Sequence, residues 1–279
     1  MEISAPTKRD LSFEQVWPFL QEAINKVIDN LEGVDKREFT SEEYMQVYTT
    51  VYNACCPNPV GPEAEKLYDH YRKTFEDYIS SKVLPSLRGK NDENLLRELL
   101  RRWNNHKTMV KWLSRFFHYL QRYFIGKKRL PSLEGTGHLA FYNLVYSEIN
   151  NEVRDTILSL IDKERKGEQI DQAMVKSVLD IYLEIGENST KYYAKDFEES
   201  MIKDTTTFYS QNALNWIETE SYENYMVKVE ECLEQEKART SSYLNYRSKF
   251  KLLEVVQHEL LNVHAVKLEE KKHITETAA

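Results

Sequence analysis

The residues with most scope for chemistry in this 279-residue chain are two histidines, three cysteines and one glycine-rich segment. His258 and His264 enclose Glu259-Leu260-Leu261-Asn262-Val263, a string with the look of a zinc-protease motif. That motif sets its histidines four residues apart on a helix, so that both imidazoles reach one metal. The wider spacing here turns the two rings to different sides, and no metal site is expected. Cys55, Cys56 and Cys232 lack metal-ligand spacing, and adjacent cysteines are poor geometry for a disulfide. They read as small apolar residues of a reducing compartment, which points to the cytoplasm, the nucleus or both. Glu134-Gly135-Thr136-Gly137 lacks the Gly-Lys-Ser/Thr ending of a phosphate loop. No catalytic constellation and no cofactor site emerges, so the expectation is a binding protein and not an enzyme.

Composition narrows the partner classes. The net charge of -7 comes from 38 Lys and Arg dispersed among 45 Asp and Glu, with no basic stripe for a phosphate backbone, so no nucleic acid is expected. Met1 to Asp10 has no apolar run of the signal-peptide kind, and no window approaches the length of a membrane span. Without a secretory signal, the sequon Asn188-Ser189-Thr190 is a chance match. The 18 Tyr and 11 Phe argue for a packed core. Only 8 Gly and 7 Pro interrupt the chain, which favours long helices over a loop-rich β fold.

The helix signals follow the chain. Ser12 with Gln15 has capping-box spacing, and Phe13, Val16, Trp17, Leu20, Ile24, Val27, Ile28 and Leu31 recur at helical period up to Gly33. Pro18 inside that pattern predicts an irregular first turn or a later start. Thr40 with Glu43 opens a second helix that ends near Cys56, where Cys56-Pro57-Asn58-Pro59-Val60-Gly61-Pro62 must be a loop. A third runs from about Glu63 to Leu84, with Leu67, Tyr71, Phe75, Tyr78 and Ile79 inward. Asp92 caps a short helix through Trp103, and Thr108 to Ile125 forms another. Gly135-Thr136-Gly137 is the clearest breaker cluster and marks a repeat boundary. Beyond it, His138 to Lys166 reads as one long helix, Gly167 as its left-handed cap, and Asp171 as the cap of a helix to Ile185. Further helices cover Tyr192 to Tyr209, a short piece around Trp216, and a long segment from Ser221 that bends near Tyr246. No alternating β-branched segment competes, and the fold class is all-α. Two halves of similar helix content suggest stacked helical repeats.

Two helices carry more apolar surface than one-sided packing needs. On Thr40 to Cys56, Tyr44, Val47, Tyr48, Val51, Ala54 and Cys55 form one stripe, widened by Met45 and Tyr52. At the helical angle per residue the arc covers roughly 200°, against roughly 100° for a one-sided helix. Tyr and Met at such an edge suit an interface; a central position in a bundle explains the same arc. On Thr108 to Ile125, Leu113, Phe116, Leu120 and Phe124 face inward, while Trp112, Tyr119 and Tyr123 share a flank with Arg115 and Arg122. Aromatic and Arg mixtures are typical of interface hot spots, and again a buried bundle helix is the plain alternative.

Taken as strings, the helices resemble a known family. Tyr44-Met45-Gln46-Val47-Tyr48-Thr49-Thr50-Val51-Tyr52-Asn53 is similar to the second helix of cullins of the SCF ubiquitin-ligase type. Trp112-Leu113-Ser114-Arg115-Phe116-Phe117, then Tyr119-Leu120 and Arg122-Tyr123-Phe124-Ile125, resembles their fifth helix, above all in plant members. The run from Asp162 to Asp171, Asp196-Phe197-Glu198 and Phe208-Tyr209-Ser210 also fit. The likeness extends from about Leu11 to Leu268.

The resemblance implies an elongated stalk of stacked five-helix cullin repeats. It divides the chain into a flexible N-terminus (1–10), a first, adaptor-binding repeat (11–134), a second repeat (135–272) and a frayed C-terminus (273–279). It also implies that Tyr44, Met45 and Tyr48, with Tyr119, Tyr123 and more weakly Arg122, contact a small BTB/POZ-fold adaptor that carries F-box proteins. Arg115 and Thr49 are left open. A full cullin continues into a region that holds a RING partner, whereas this sequence stops near the expected end of the second repeat. It is therefore either a shortened paralogue or a truncated product, expected to recruit no RING protein and to act as a competitor for adaptors or a non-catalytic paralogue. The alternative is a helical-repeat interaction protein that has lost adaptor binding.

Overall fold

The computed structural model describes residues 11–34 and 37–278. Among them there are eleven helices and no strand. The flexible N-terminus expected at 1–10 lies outside the described residues. By packing the chain divides into two units, one up to Asn150 and one from Asn151.

Local chemistry sets the helix starts of the first unit. Helix α1, Phe13–Glu32, begins where the Ser12 amide donates to Gln15 Oε1 at 2.9 Å, and it accommodates Pro18 without a later start. It ends at Gly33, whose φ of 72° is the left-handed conformation that glycine adopts without a Cβ penalty. Helix α2, Ser41–Cys55, opens on a reciprocal box: Thr40 Oγ1 accepts from the Glu43 amide at 3.1 Å and the Thr40 amide donates to Glu43 Oε2 at 2.8 Å. Helix α3 runs from Pro62 through a π-helical segment, Ile79–Val83, to Leu87, with Leu67, Tyr71, Phe75, Tyr78 and Ile79 all buried.

Helix α4 departs from the expected short helix through Trp103 and separate helix from Thr108 to Ile125. It is continuous over Asp92–Phe116. Asn104 and Asn105 are weak helix formers, but tertiary bonds hold this stretch: Asn105 Nδ2 donates to the Leu31 carbonyl at 3.0 Å, and buried Arg102 bridges Glu32 and Glu98 at 2.7 and 2.9 Å. The break falls at Phe117 (φ -95°, ψ 16°), and helix α5 follows as His118–Leu120, a π-helical Gln121–Ile125 and Gly126–Lys128.

Helix α6 begins at Leu133, so the breaker cluster Gly135-Thr136-Gly137 lies inside it. Glycine is used here for close approach. A Cβ on Gly137 would lie 2.6 Å from Val110 Cγ2 and 3.3 Å from the Phe75 ring. The Gly137 carbonyl accepts from Nε2 of fully buried His106 at 2.8 Å. Helix α6 continues through a π-helical Tyr142–Tyr146 to Ser147–Arg165.

The second unit packs α7 (Gln172–Ile185), α8 (191–219), α9 (Tyr222–Ser242), α10 (249–262) and α11 (Ala265–Ala278) with the end of α6. Gly167 (φ 90°) ends α6, and Asp171 Oδ1 accepts the Met174 amide at 2.9 Å to open α7. The segments expected around Tyr209 and Trp216 are one helix. The expected bend near Tyr246 is a true break, because Tyr243 and Leu244 bury themselves and a short 3-10 turn, Tyr246–Ser248, restarts the chain. The stretch read as frayed is helical to Ala278.

At the centre of this unit Arg165 and Glu236, both without exposure to speak of, pair at 2.9 Å. Arg239 meets the same Glu236 oxygen at 2.8 Å, and Tyr209 donates to it at 2.8 Å. Such a network specifies which faces of α6, α8 and α9 meet more than it adds to stability, since desolvation offsets most of the attraction.

Candidate functional site

The aromatic edge of α2 is aimed by its neighbours. Glu43, which caps the helix, also takes an ion pair from Lys26 of α1 at 2.8 Å. Those two bonds hold its carboxyl below the usual carboxylate range, the Lys26 hydrogen bond weighing most. Val47, Thr50, Val51, Ala54 and Cys55 are buried, so the rotation of the helix is set by its core stripe. Met45 is then left 51% exposed, with Tyr44 and Tyr48 half-buried beside it.

Helix α5 packs directly against α2. Tyr52 of α2 meets Tyr119 edge-on at 5.4 Å between ring centroids, and Tyr119 meets Tyr123 at 4.6 Å. The Arg122 guanidinium lies 5.3 Å from the Tyr123 ring centre, a cation–π distance. Tyr44 faces Phe116 at 6.3 Å, and it lines a cleft of about 470 Å³ with Ser114, Arg115, His118 and Gln121.

The six residues singled out from sequence therefore lie on two packed helices, but they do not share one role. Met45, Arg122 and Tyr123 are exposed, Tyr123 to 38%. Tyr119 retains only 5% exposure and supports Tyr123 from beneath. Burial pushes its phenol up to about 12, so it stays neutral at any physiological pH. Trp112, expected on the same flank, sits before the break at Phe117 and meets Phe39 in a tilted contact at 5.0 Å instead. Tyr52, at the margin of the apolar arc, is the link between the two helices. Its position was signalled by that margin; its contact with Tyr119 was not, since nothing in the sequence shows that the two helices meet there.

The surface offers rigid tyrosine rings, one adaptable thioether and one guanidinium. That set suits contact with another protein, where large area is gained at little entropic cost. Among the described residues no cluster of His, Cys, Asp and Glu could hold a metal ion, and no helix is long and apolar enough to cross a membrane.

Comparison with known proteins gives one consistent result. A family described as the cullin alpha solenoid domain matches residues 17–278. The chain is 52% identical over 266 residues to cullin-1 of Oryza sativa subsp. japonica, which covers 95% of this chain and 36% of that protein. It therefore spans little more than a third of the rice protein's length. It is 45% identical over 255 residues to putative cullin-like protein 2 of Arabidopsis thaliana, covering 91% of this chain and 68% of the relative. Cullin-like protein 3 of the same plant is 42% identical over 252 residues, with 90% of this chain and 96% of that protein covered.

Proposed function

The chain belongs to the cullin family of ubiquitin-ligase scaffolds, and on that premise we propose that the α2–α5 surface receives a BTB/POZ-fold adaptor of the SCF type. Through the adaptor the protein would reach F-box proteins and act in ubiquitin-dependent protein catabolism. The observation that carries this reading is the exposure of Met45 and Tyr123 on two helices locked together by the Tyr52–Tyr119 contact. A buried support beneath an exposed aromatic is how a contact surface is held in one shape before the partner arrives.

In the proposed interface Met45 and Tyr44 supply the apolar contact, Tyr48 extends it along α2, and Tyr123 continues it on α5. Arg122 closes the rim as a cation held against Tyr123. Tyr119 contributes by positioning. A pull-down with purified SCF adaptor tests this: wild type should retain it, and Tyr44→Ala plus Met45→Ala should not. Equal retention by both would move the interface elsewhere. No retention by either would favour a helical-repeat protein serving a different partner. A 279-residue polypeptide that occupies adaptors should also slow ubiquitination when added in excess to a reconstituted ligase.

A further inference from the structure

A second surface lies on the other unit, where α10 begins. The inward face of α10 is fixed by Ser248, Leu252 and Val256, all buried and spaced one turn apart. Ser248 is held hardest: its hydroxyl donates to Glu198 Oε1 at 2.6 Å and lies 3.2 Å from the Tyr193 hydroxyl, from which it can accept. With that register set, a residue two positions away points about 200° from the inward direction. Phe250 lies two positions from both Ser248 and Leu252, and it is 81% exposed. Tyr246, one turn before it, is 70% exposed. Asn245 fixes the turn that carries Tyr246, its Oδ1 accepting the Arg247 amide at 3.0 Å.

Two large aromatics left in water one turn apart are a costly arrangement, and such exposure marks interaction sites. Cations lead in their surroundings. From Leu244 to Leu253 the chain carries Arg247, Lys249 and Lys251 and no acidic residue; the first one, exposed Glu254, follows one turn beyond Phe250. Lys251 is taken by Glu198 at 2.7 Å, whereas neither Arg247 nor Lys249 ion-pairs with a described residue. Arg247 instead donates from Nε to Tyr246 Oη at 3.1 Å, which holds the guanidinium against the aromatic.

We propose that Tyr246, Phe250, Arg247 and Lys249 form a docking surface for an acidic protein segment bearing an apolar side chain. The two unpaired cations supply charge complementarity, and the rings supply the apolar contact. Two cations are too few for a nucleic-acid backbone or an anionic membrane, particularly on a chain with a net charge of -7.

The test uses the full chain and a fluorescein-labelled decapeptide alternating Asp and Glu with Leu and Phe, followed by fluorescence polarisation. Saturable binding that weakens as salt rises is expected. Phe250→Ala and Arg247→Glu should each weaken it at least about tenfold, a difference near 1.4 kcal/mol. Met45→Ala, on the other unit, should leave it unchanged. Because Phe250 is exposed, its variant should keep the wild-type circular-dichroism melt. The proposal is overturned by absence of binding, by binding indifferent to Phe250→Ala, or by equal binding of a Lys-for-acid version of the peptide. It is also overturned if light scattering shows that Phe250→Ala instead dissolves a dimer, since the occupant would then be a second copy.

Discussion

His106 should make the first unit sensitive to mild acid, and the size of the effect can be worked out. Its ring is fully buried among Trp103, Phe75 and Phe141. Nε2 donates to the Gly137 carbonyl at 2.8 Å, so the proton of the neutral ring sits on Nε2, and Nδ1 has no partner. Burial pushes the imidazole pKa down to about 3; the Gly137 bond opposes this and His138 nearby adds to it. An unfolded histidine titrates near 6.5. Between those values the unfolded chain binds the extra proton, so stability is complete above about pH 6.5 and falls as pH drops towards 3. At pH 5 the loss relative to pH 7 comes to about 2 kcal/mol. Carboxylates held low by ion pairs, such as Glu98 at about 2, begin to cost stability only below their ordinary range, so the interval from pH 7 to 5 belongs to histidine. Urea unfolding of wild type and His106→Phe at both pH values measures it. The variant should be less stable at pH 7 by about 1–3 kcal/mol, because the Gly137 carbonyl loses its donor. It should then change little down to pH 5. If wild type and variant lose the same stability over that interval, the assignment of the effect to His106 is wrong.

Further outcomes follow from other contacts. Gly137→Ala should destabilise by about 1–3 kcal/mol through the clash with Val110, and Val110→Ala in the same chain should recover part of that in a thermal melt. Arg165→Met should cost about 3–5 kcal/mol by leaving Glu236 short of a buried partner, and adding Glu236→Leu should return most of it; no recovery in urea titrations would mean that Arg165 acts by packing alone. Tyr119→Ala should cost about 3–5 kcal/mol as a cavity beneath Tyr123, whereas Met45→Ala, at an exposed site, should leave the melting temperature nearly unchanged. If Tyr44 and Met45 are adaptor hot spots, their double alanine variant should lose about 4 kcal/mol of adaptor binding in calorimetry.

Much of the fold was legible because its signals are local. The boxes at Ser12 and Thr40, the left-handed caps at Gly33 and Gly167 and the Asp171 cap are each set by residues within one turn, and each starts or ends a helix as read. What was not legible depends on contacts distant in sequence. Gly135-Thr136-Gly137 looks like punctuation until Val110 and Phe75 are seen against it. Asn104-Asn105 looks like a weak point until Leu31 accepts from Asn105. The two aromatic helices were found by their surplus apolar arc, yet that arc could not separate Trp112, which caps Phe39, from Tyr123, which faces water. The break at Phe117 makes that separation, and no residue there announces it.

The same logic explains why one helix can serve core and surface together. On α2, burial of Val47, Val51, Ala54 and Cys55 fixes the rotation, and the remaining apolar residues must then face another helix or the solvent. Tyr52 takes the first course and Met45 the second. A partner that covers Met45 would add area to a surface whose backbone and tyrosine rings are already in place, so little ordering entropy would oppose binding. Loosening the support should therefore weaken binding without removing a contact atom. Tyr52→Ala provides that case: it deletes the edge-on partner of Tyr119 and leaves Met45 and Tyr123 chemically intact. If the proposed adaptor seats there, its affinity should fall by several-fold, mostly through slower association, since fewer molecules hold the competent surface at any moment. A loss carried wholly by faster dissociation would place Tyr52 in the interface itself.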